Sequence, residues 1–147
     1  MLNEVSEYSV FAQYSNKHLR FPINSVDCET LQKRFVVGCT DNGYYFVYDT
    51  FHSLCKICFK THHPTVLTDV RWKKNEMATF CTSSLDGNLR LYDVIEPEKT
   101  SQSYSTGSHL HSLSFNFKSP IIACAMDGGF ARLYDLREKV HLHALET

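Results

Sequence analysis

Hydrophobic and polar positions alternate along this chain in short runs, and the runs recur. Val26 with Cys28, Val70 with Trp72, and Leu113 with Phe115 each end a segment in which apolar and polar residues alternate. Alternation at period two marks a strand with one buried face. A second run follows each time: Phe35-Val36-Val37-Gly38-Cys39, Thr79-Phe80-Cys81-Thr82-Ser83, then Ile121-Ile122-Ala123-Cys124-Ala125. Each run meets a turn carrying Gly43, Gly87 or Gly129, and five residues later stand Tyr48-Asp49, Tyr92-Asp93 or Tyr134-Asp135. The Tyr-Asp pairs lie 44 and 42 residues apart, and the turn glycine follows Cys28, Trp72 and Phe115 by 15, 15 and 14 residues. After each Tyr-Asp come a polar loop and a further strand candidate, Leu54 to Phe59, Ser101 to Tyr104 and Val140 to Leu145. The repeating unit is therefore about four short strands. A unit that small cannot hide both its faces alone, so it must stack on copies of itself.

The turns carry their own chemistry. Asn42-Gly43 and Asp86-Gly87 are dipeptides that adopt positive φ cheaply and so close a hairpin with the correct twist. Gly128-Gly129 does the same in the third copy, with Asp127 displaced by one place.

Thr82-Ser83-Ser84-Leu85-Asp86-Gly87-Asn88-Leu89-Arg90-Leu91-Tyr92-Asp93 resembles the signature of the WD-repeat β-propellers, with Tyr in place of the usual Trp. His63, seven residues before Val70, takes the place of the His in that family's Gly-His pair. No Trp-Asp pair and no adjacent Gly-His occurs. The resemblance covers about Phe21 to Asp135, with Val10 to Tyr14 as an outer strand ahead of it. It implies an all-β chain of three four-stranded antiparallel blades forming an open or partial β-propeller. The whole of 1–147 is then one domain, with repeats near 10–49, 53–93 and 100–135 and a trailing outer strand at 139–145.

The resemblance also assigns roles. In the second repeat His63, Ser84, Asp86 and Tyr92 become a buried structural network. The residues just before each turn pair, Asp41, Leu85 and Asp127, become partner contacts, joined by Arg20, Phe21, Pro64 and His109 from the segments entering each repeat. An exposed Leu85 between two turn aspartates suits a basic peptide with one apolar anchor. Tyr134-Asp135-Leu136-Arg137 resembles the Trp-Asp-x-Arg element by which substrate receptors of cullin-RING ubiquitin ligases meet their adaptor, and makes Arg137 the contact in that alternative.

Closed propellers have about four to eight blades. Three leave two raw faces, each roughly 600 Å² if they resemble contacts between domains. Exposing both forfeits on the order of 10 kcal/mol, comparable with the whole net stability of a domain. The chain is then a piece of a longer propeller, or pairs with itself to complete a ring, or docks on other proteins.

Composition narrows the partners. The chain has 147 residues, 43% apolar, and its aromatics are ten Phe, eight Tyr and one Trp, a set that favours strands. Fifteen basic against sixteen acidic residues give no electrostatic reason to expect nucleic acid or a membrane surface. Glu4 and Glu7 stand where a signal peptide would be basic, and no apolar run follows. Six cysteines, most of them inside apolar runs, then read as reduced thiols of a cytoplasmic or nuclear protein.

Candidate chemistry is sparse. His63, Ser84 and Asp86 are triad residue types, but the repeat explains their positions without catalysis. No phosphate loop, nucleophile elbow or paired-carboxylate motif occurs, so neither an enzyme nor a cofactor is expected. The competing class is a metal-binding or catalytic β-protein. Cys55 and Cys58 with His62 and His63 look like half a zinc site, yet strand alternation points the two thiols to opposite faces. His109 with His111, and His141 with His143, each put two imidazoles on one strand face without a neighbouring acid or thiol. The polar stretch Glu96 to Thr106 reads as a connection between blades, or as a phosphorylated loop.

Overall fold

The recurrence near 43 residues returns as three separate sheets built alike. The computed structural model describes residues 21–52, 54–138 and 141–146, the backbone alone for Leu54 and 141–146. The first sheet is β1 (Ile23–Cys28), β2 (Phe35–Thr40), β3 (Tyr44–Asp49) and β4 (Leu54–Lys60). The second is β5 (Leu67–Trp72), β6 (Thr79–Ser84), β7 (Asn88–Asp93) and β8 (Thr100–Ser105). The third is β9 (Leu110–Phe115), β10 (Ile121–Met126), β11 (Phe130–Asp135) and β12 (His141–Glu146). Each is an antiparallel meander whose spatial order follows the chain. Irregularities repeat as faithfully as strands do: one register shift follows Ile23, Leu67 and Leu110, and another precedes Tyr48, Tyr92 and Tyr134. The chain is all-β, and no described helix is long and apolar enough to cross a membrane.

Three expectations need correction or limits. The sheets begin one strand later than the sequence repeats, because each outer strand hydrogen-bonds to the hairpin before it, not the one after. The polar stretch from Glu96 is a loop only to Lys99, since Thr100–Ser105 pairs along β7. Its alternating exposed and half-buried residues fit an outer strand with one wet face. Val10 to Tyr14 and Arg20 lie outside the described residues.

The tight turns also differ from a two-residue hairpin. Asp41-Asn42-Gly43 and Leu85-Asp86-Gly87 are three-residue loops, closed by Gly43 N–H to the Thr40 carbonyl (3.3 Å) and Gly87 N–H to that of Ser84 (3.2 Å). Only the glycines are left-handed, at φ 84° and 75°. That is the hairpin in which a final glycine turns the chain into the next strand. In the third copy Gly128 and Gly129 both have positive φ and follow Asp127 in a single 3-10 turn.

The recurring Tyr-Asp has a structural cause. The carboxylates of Asp49, Asp93 and Asp135 accept the backbone N–H two residues on, from Phe51, Ile95 and Arg137 (3.0, 2.7 and 2.9 Å). The intervening amides of Thr50, Val94 and Leu136 bond back to the carbonyls of Arg34, Ala78 and Pro120. Each Asp thus fixes the exit of its strand. The tyrosines before them are all buried.

The sheets stack face to face. Val37, Cys39, Tyr45 and Val47 of the first meet Leu67, Val70, Trp72, Phe80 and Tyr92 of the second in one apolar cluster. Cys81, Leu89, Leu91 and Tyr104 of the second share another with Leu113, Phe115, Ile122, Cys124 and Tyr134 of the third. The first strands β1, β5 and β9 stand side by side, and a polar ladder ties them. Asn24 Nδ2 donates to the Leu67 carbonyl (2.7 Å), and Thr68 Oγ1, at the same register position, donates to that of Leu110 (2.8 Å). Buried Asp69 bridges all three sheets: it accepts Ser25 Oγ at 2.5 Å on one side, and Ser112 Oγ (3.1 Å) and Leu113 N–H (2.8 Å) on the other.

One glycine is fixed by space. Gly38 sits opposite Phe46, and a Cβ there would come within 2.2 Å of the ring. The equivalent pairs in the other sheets are Thr82 with Arg90 and Cys124 with Arg132. Gly38→Ala is expected to cost about 1–3 kcal/mol in urea denaturation, and much less when it is introduced into a Phe46→Ala background from which the ring is already gone.

Candidate protein-binding surface

The three turns gather on one rim with the segments that enter each sheet. The N–H groups of Asp41, Leu85 and Asp127 donate to the carbonyls of Pro22, Val66 and His109 (3.2, 3.1 and 3.2 Å). Phe21, Pro64 and His109 are therefore held beside the turn residues of their own sheets, and all three are exposed. The connections between sheets are pinned as well. Thr61 gives both its N–H and its hydroxyl to the Gly43 carbonyl (2.9 and 2.8 Å), and Thr106 does the same at Gly87 (2.9 Å each). The rim rests on bonded backbone, the arrangement that lets loops carry contacts on a rigid frame.

Its side chains differ from the expectation of an exposed apolar tip flanked by two free acids. Leu85 and Asp41 are half-buried. Asp41 Oδ1 is shielded and has no hydrogen-bond partner. Asp127 is exposed but engaged by two imidazoles, His109 Nδ1 at 3.0 Å and His111 Nε2 at 2.5 Å. The His111 hydrogen bond, the largest influence, holds the Asp127 carboxyl below its usual range. The sequence offers no acid next to these histidines; the fold supplies one from the facing turn. Arg20 lies outside the described residues, as do the side chains of His141 and His143.

Under the rim lies a polar network around His63, which is 2% exposed. Its Nδ1 faces the Asp86 carboxylate at 2.9 and 3.0 Å, and its Nε2 faces Thr82 Oγ1 at 3.0 Å. Arg90 Nη1 completes the group, 2.8 Å from Asp86 Oδ2 and 2.5 Å from His63 Nδ1. Burial pushes the His63 imidazole down to about 4 despite the pull of Asp86, so it is neutral at pH 7. Burial pushes the Asp86 carboxyl up, but Arg90 and then His63 outweigh it and hold it below its ordinary value. Thr82 and Arg90 stand where Ser84 and Tyr92 were expected. Ser84 Oγ bonds Thr65 Oγ1 instead (2.9 Å), and the Tyr92 hydroxyl accepts the His62 N–H (3.2 Å). A signal was available: Thr82 and Arg90 sit opposite each other on paired strands, on the same row as Val70.

The other candidates fall into place. Arg137, 70% exposed, donates Nε to both Asp135 oxygens (2.9 and 3.2 Å) and Nη2 to Oδ2. Asp49 is clasped in the same way by Arg34, at 3.0 and 2.6 Å. Arg137 therefore serves the strand exit before it serves any partner. Cys55 and Cys58 correct the simple alternation. The register shift between Val47 and Tyr48 seats them opposite Tyr48 and Phe46, so the thiols share a face. Among the described residues no three His, Cys, Asp or Glu side chains are placed to hold one metal ion. The chain matches no protein-family model and no curated protein.

Proposed function

We propose that the chain is a WD-type protein-binding scaffold, its three sheets acting as blades of a β-propeller and its turn rim as the recognition face. The observation that carries this reading is the threefold recurrence of the turn-to-entry hydrogen bond at Asp41, Leu85 and Asp127. It sets one turn residue of each repeat on the same rim. The rim exposes Phe21 and Pro64 beside half-buried Leu85, and its exposed acid is Asp127, whose imidazole partners are exposed and can yield to a competing cation, which suits a basic peptide with one apolar anchor.

The test is fluorescence anisotropy with a set of labelled Lys/Arg-rich peptides, each bearing a single Leu, Phe or Trp. Leu85→Ser is expected to weaken the best binder about tenfold, or about 1.4 kcal/mol. Asp127→Asn is expected to weaken binding further and flatten its salt dependence. Binding unchanged in both variants, or no binding by any peptide of the set, overturns the reading.

A further inference from the structure

The junction between the first two sheets carries a crevice of about 280 Å³. It lies beside the strand exits at Asp49 and Asp93, at the end opposite the turn rim. Phe35, Val47 and Ile57 wall it on one side and Trp72 and Val94 on the other, and Arg34 and Lys56 complete the lining. By register Val47, Trp72 and Val94 correspond to Leu91, Phe115 and Leu136 at the second junction. There all three are buried. At the first junction Val94 stays half-buried, as do Phe35 and Ile57. Val94 is shorter than Leu136, and the missing bulk leaves the space open.

We infer that this crevice is a second binding site, seating one large aliphatic side chain of an acidic peptide segment from another protein. Its lining holds five apolar residues, two cations and no acid. Arg34 is already committed, since two hydrogen bonds tie it to Asp49 and its guanidinium lies 4.9 Å over the Phe35 ring. Lys56 is not. Its Nζ stands 3.9 Å from Asp49, the outer limit of an ion pair, and the charge of that carboxylate is already balanced by Arg34. An occupant with a carboxylate next to its apolar group therefore meets an available cation at the crevice.

The backbone around the crevice favours a peptide. Lys56 is the extra residue of β4, because the register passes from Val47 opposite Ile57 to Tyr48 opposite Cys55. A bulge of this kind redirects a side chain, and here it brings two sequence neighbours, Lys56 and Ile57, to one crevice. β4 is also the outermost strand of its sheet, paired among the described residues with β3 alone. An extended segment can add along such an edge, its main chain giving affinity and a pocket taking one of its side chains. Trp72 supplies the remaining element. It is fully buried, and its indole N–H has no hydrogen-bond partner among the described residues. A buried donor left unpaired is unfavourable, and a carbonyl of the occupant at this wall would satisfy it.

Trp72 is the single tryptophan of the chain, so its fluorescence reports on the crevice directly. The full chain is titrated with a set of Asp/Glu-rich peptides, each bearing one Leu, Ile or Met and no aromatic residue. These are expected to shift the Trp72 emission saturably, and Lys/Arg-rich peptides of the same apolar content are not. Lys56→Glu changes an exposed side chain and is expected to weaken the best acidic peptide about tenfold. Val94→Leu gives the first junction the side chain that the second has at Leu136, and is expected to weaken it at least as much. Circular dichroism checks that both variants fold. No saturable shift with any acidic peptide, saturation by octanoate but by no peptide, or an affinity unchanged in either variant overturns the inference. The scaffold reading is judged separately, because Leu85 and Asp127 lie on the rim at the other end of the sheets: basic peptides that bind there without any acidic peptide entering the crevice sink this site alone.

Discussion

Asp69→Ala is expected to cost about 3–5 kcal/mol of stability, the largest loss from any single polar side chain here. Asp69 is 3% exposed and accepts from both neighbouring sheets at once. On the first-sheet side it takes the Ser25 hydroxyl; on the third-sheet side it takes the Ser112 hydroxyl and the Leu113 N–H. Its Oδ1 also accepts the Val70 N–H at 2.9 Å and lies 3.2 Å from Arg71 Nη2. Alanine strands the buried N–H groups of Val70 and Leu113, and each stranded donor carries a desolvation penalty larger than the net worth of its bond. Asp69→Asn keeps the volume but turns a donor toward groups that already donate, so it is expected to recover less than half of the loss. Ser25→Ala and Ser112→Ala remove one hydroxyl each and are expected to cost about 0.5–1.5 kcal/mol. Urea denaturation at pH 7 measures all four. An Asp69→Ala loss near that of a single serine would mean that the sheets are joined by their apolar clusters alone.

Asp69 also marks where sequence reading stopped. Register aligns Ser25, Asp69 and Ser112, so only the middle copy shows an acid there, and nothing in the pattern says that its two hydroxyl partners come from the flanking sheets. The strands themselves were legible, because alternation and the Tyr-Asp spacing reflect requirements each repeat meets locally: one buried face and a carboxylate to fix the strand exit. The turns were legible as turns but not in type, since Asn42 and Asp86 stay out of the left-handed region and leave it to Gly43 and Gly87. The shared face of Cys55 and Cys58 was hidden for a related reason. An inserted residue in β4 breaks the period of two, and alternation counted along the sequence cannot see it. On the rim, the positions of Leu85, Asp127 and His109 followed from the repeat, whereas the tie of both His109 and His111 to Asp127 needed strands in space.

Acidification from pH 6.5 to pH 4 is expected to destabilise the wild-type chain by roughly 3 kcal/mol through His63 alone. In the unfolded chain this imidazole titrates near 6.5; in the fold, burial holds it down to about 4. Between those values the unfolded state binds a proton that the folded state refuses, so stability is full above pH 6.5 and falls as pH drops toward 4. The strand-exit carboxylates do not confuse this window. Asp135 is held at about 2 by the hydrogen bonds from Arg137, and Asp49 is held still lower by Arg34, so their losses come below pH 4. His63→Gln keeps a side chain able to donate to Asp86 but cannot titrate. It is expected to be less stable at pH 7 and nearly flat from 6.5 down to about 5, as read from urea midpoints across that range. Below that, buried Glu29 begins to contribute in both proteins: burial pushes its carboxyl up, but backbone N–H groups outweigh it and hold it under its ordinary range. If the variant keeps the wild-type slope, the proton is taken up elsewhere and His63 is not held neutral by the fold. The consequence reaches the rim, because His63 immediately precedes Pro64 and its partner Asp86 lies between Leu85 and Gly87. A proton on this imidazole would loosen the second turn and its entering segment together, so peptide affinity should fall with stability over the same window, and the Gln variant should lose that dependence.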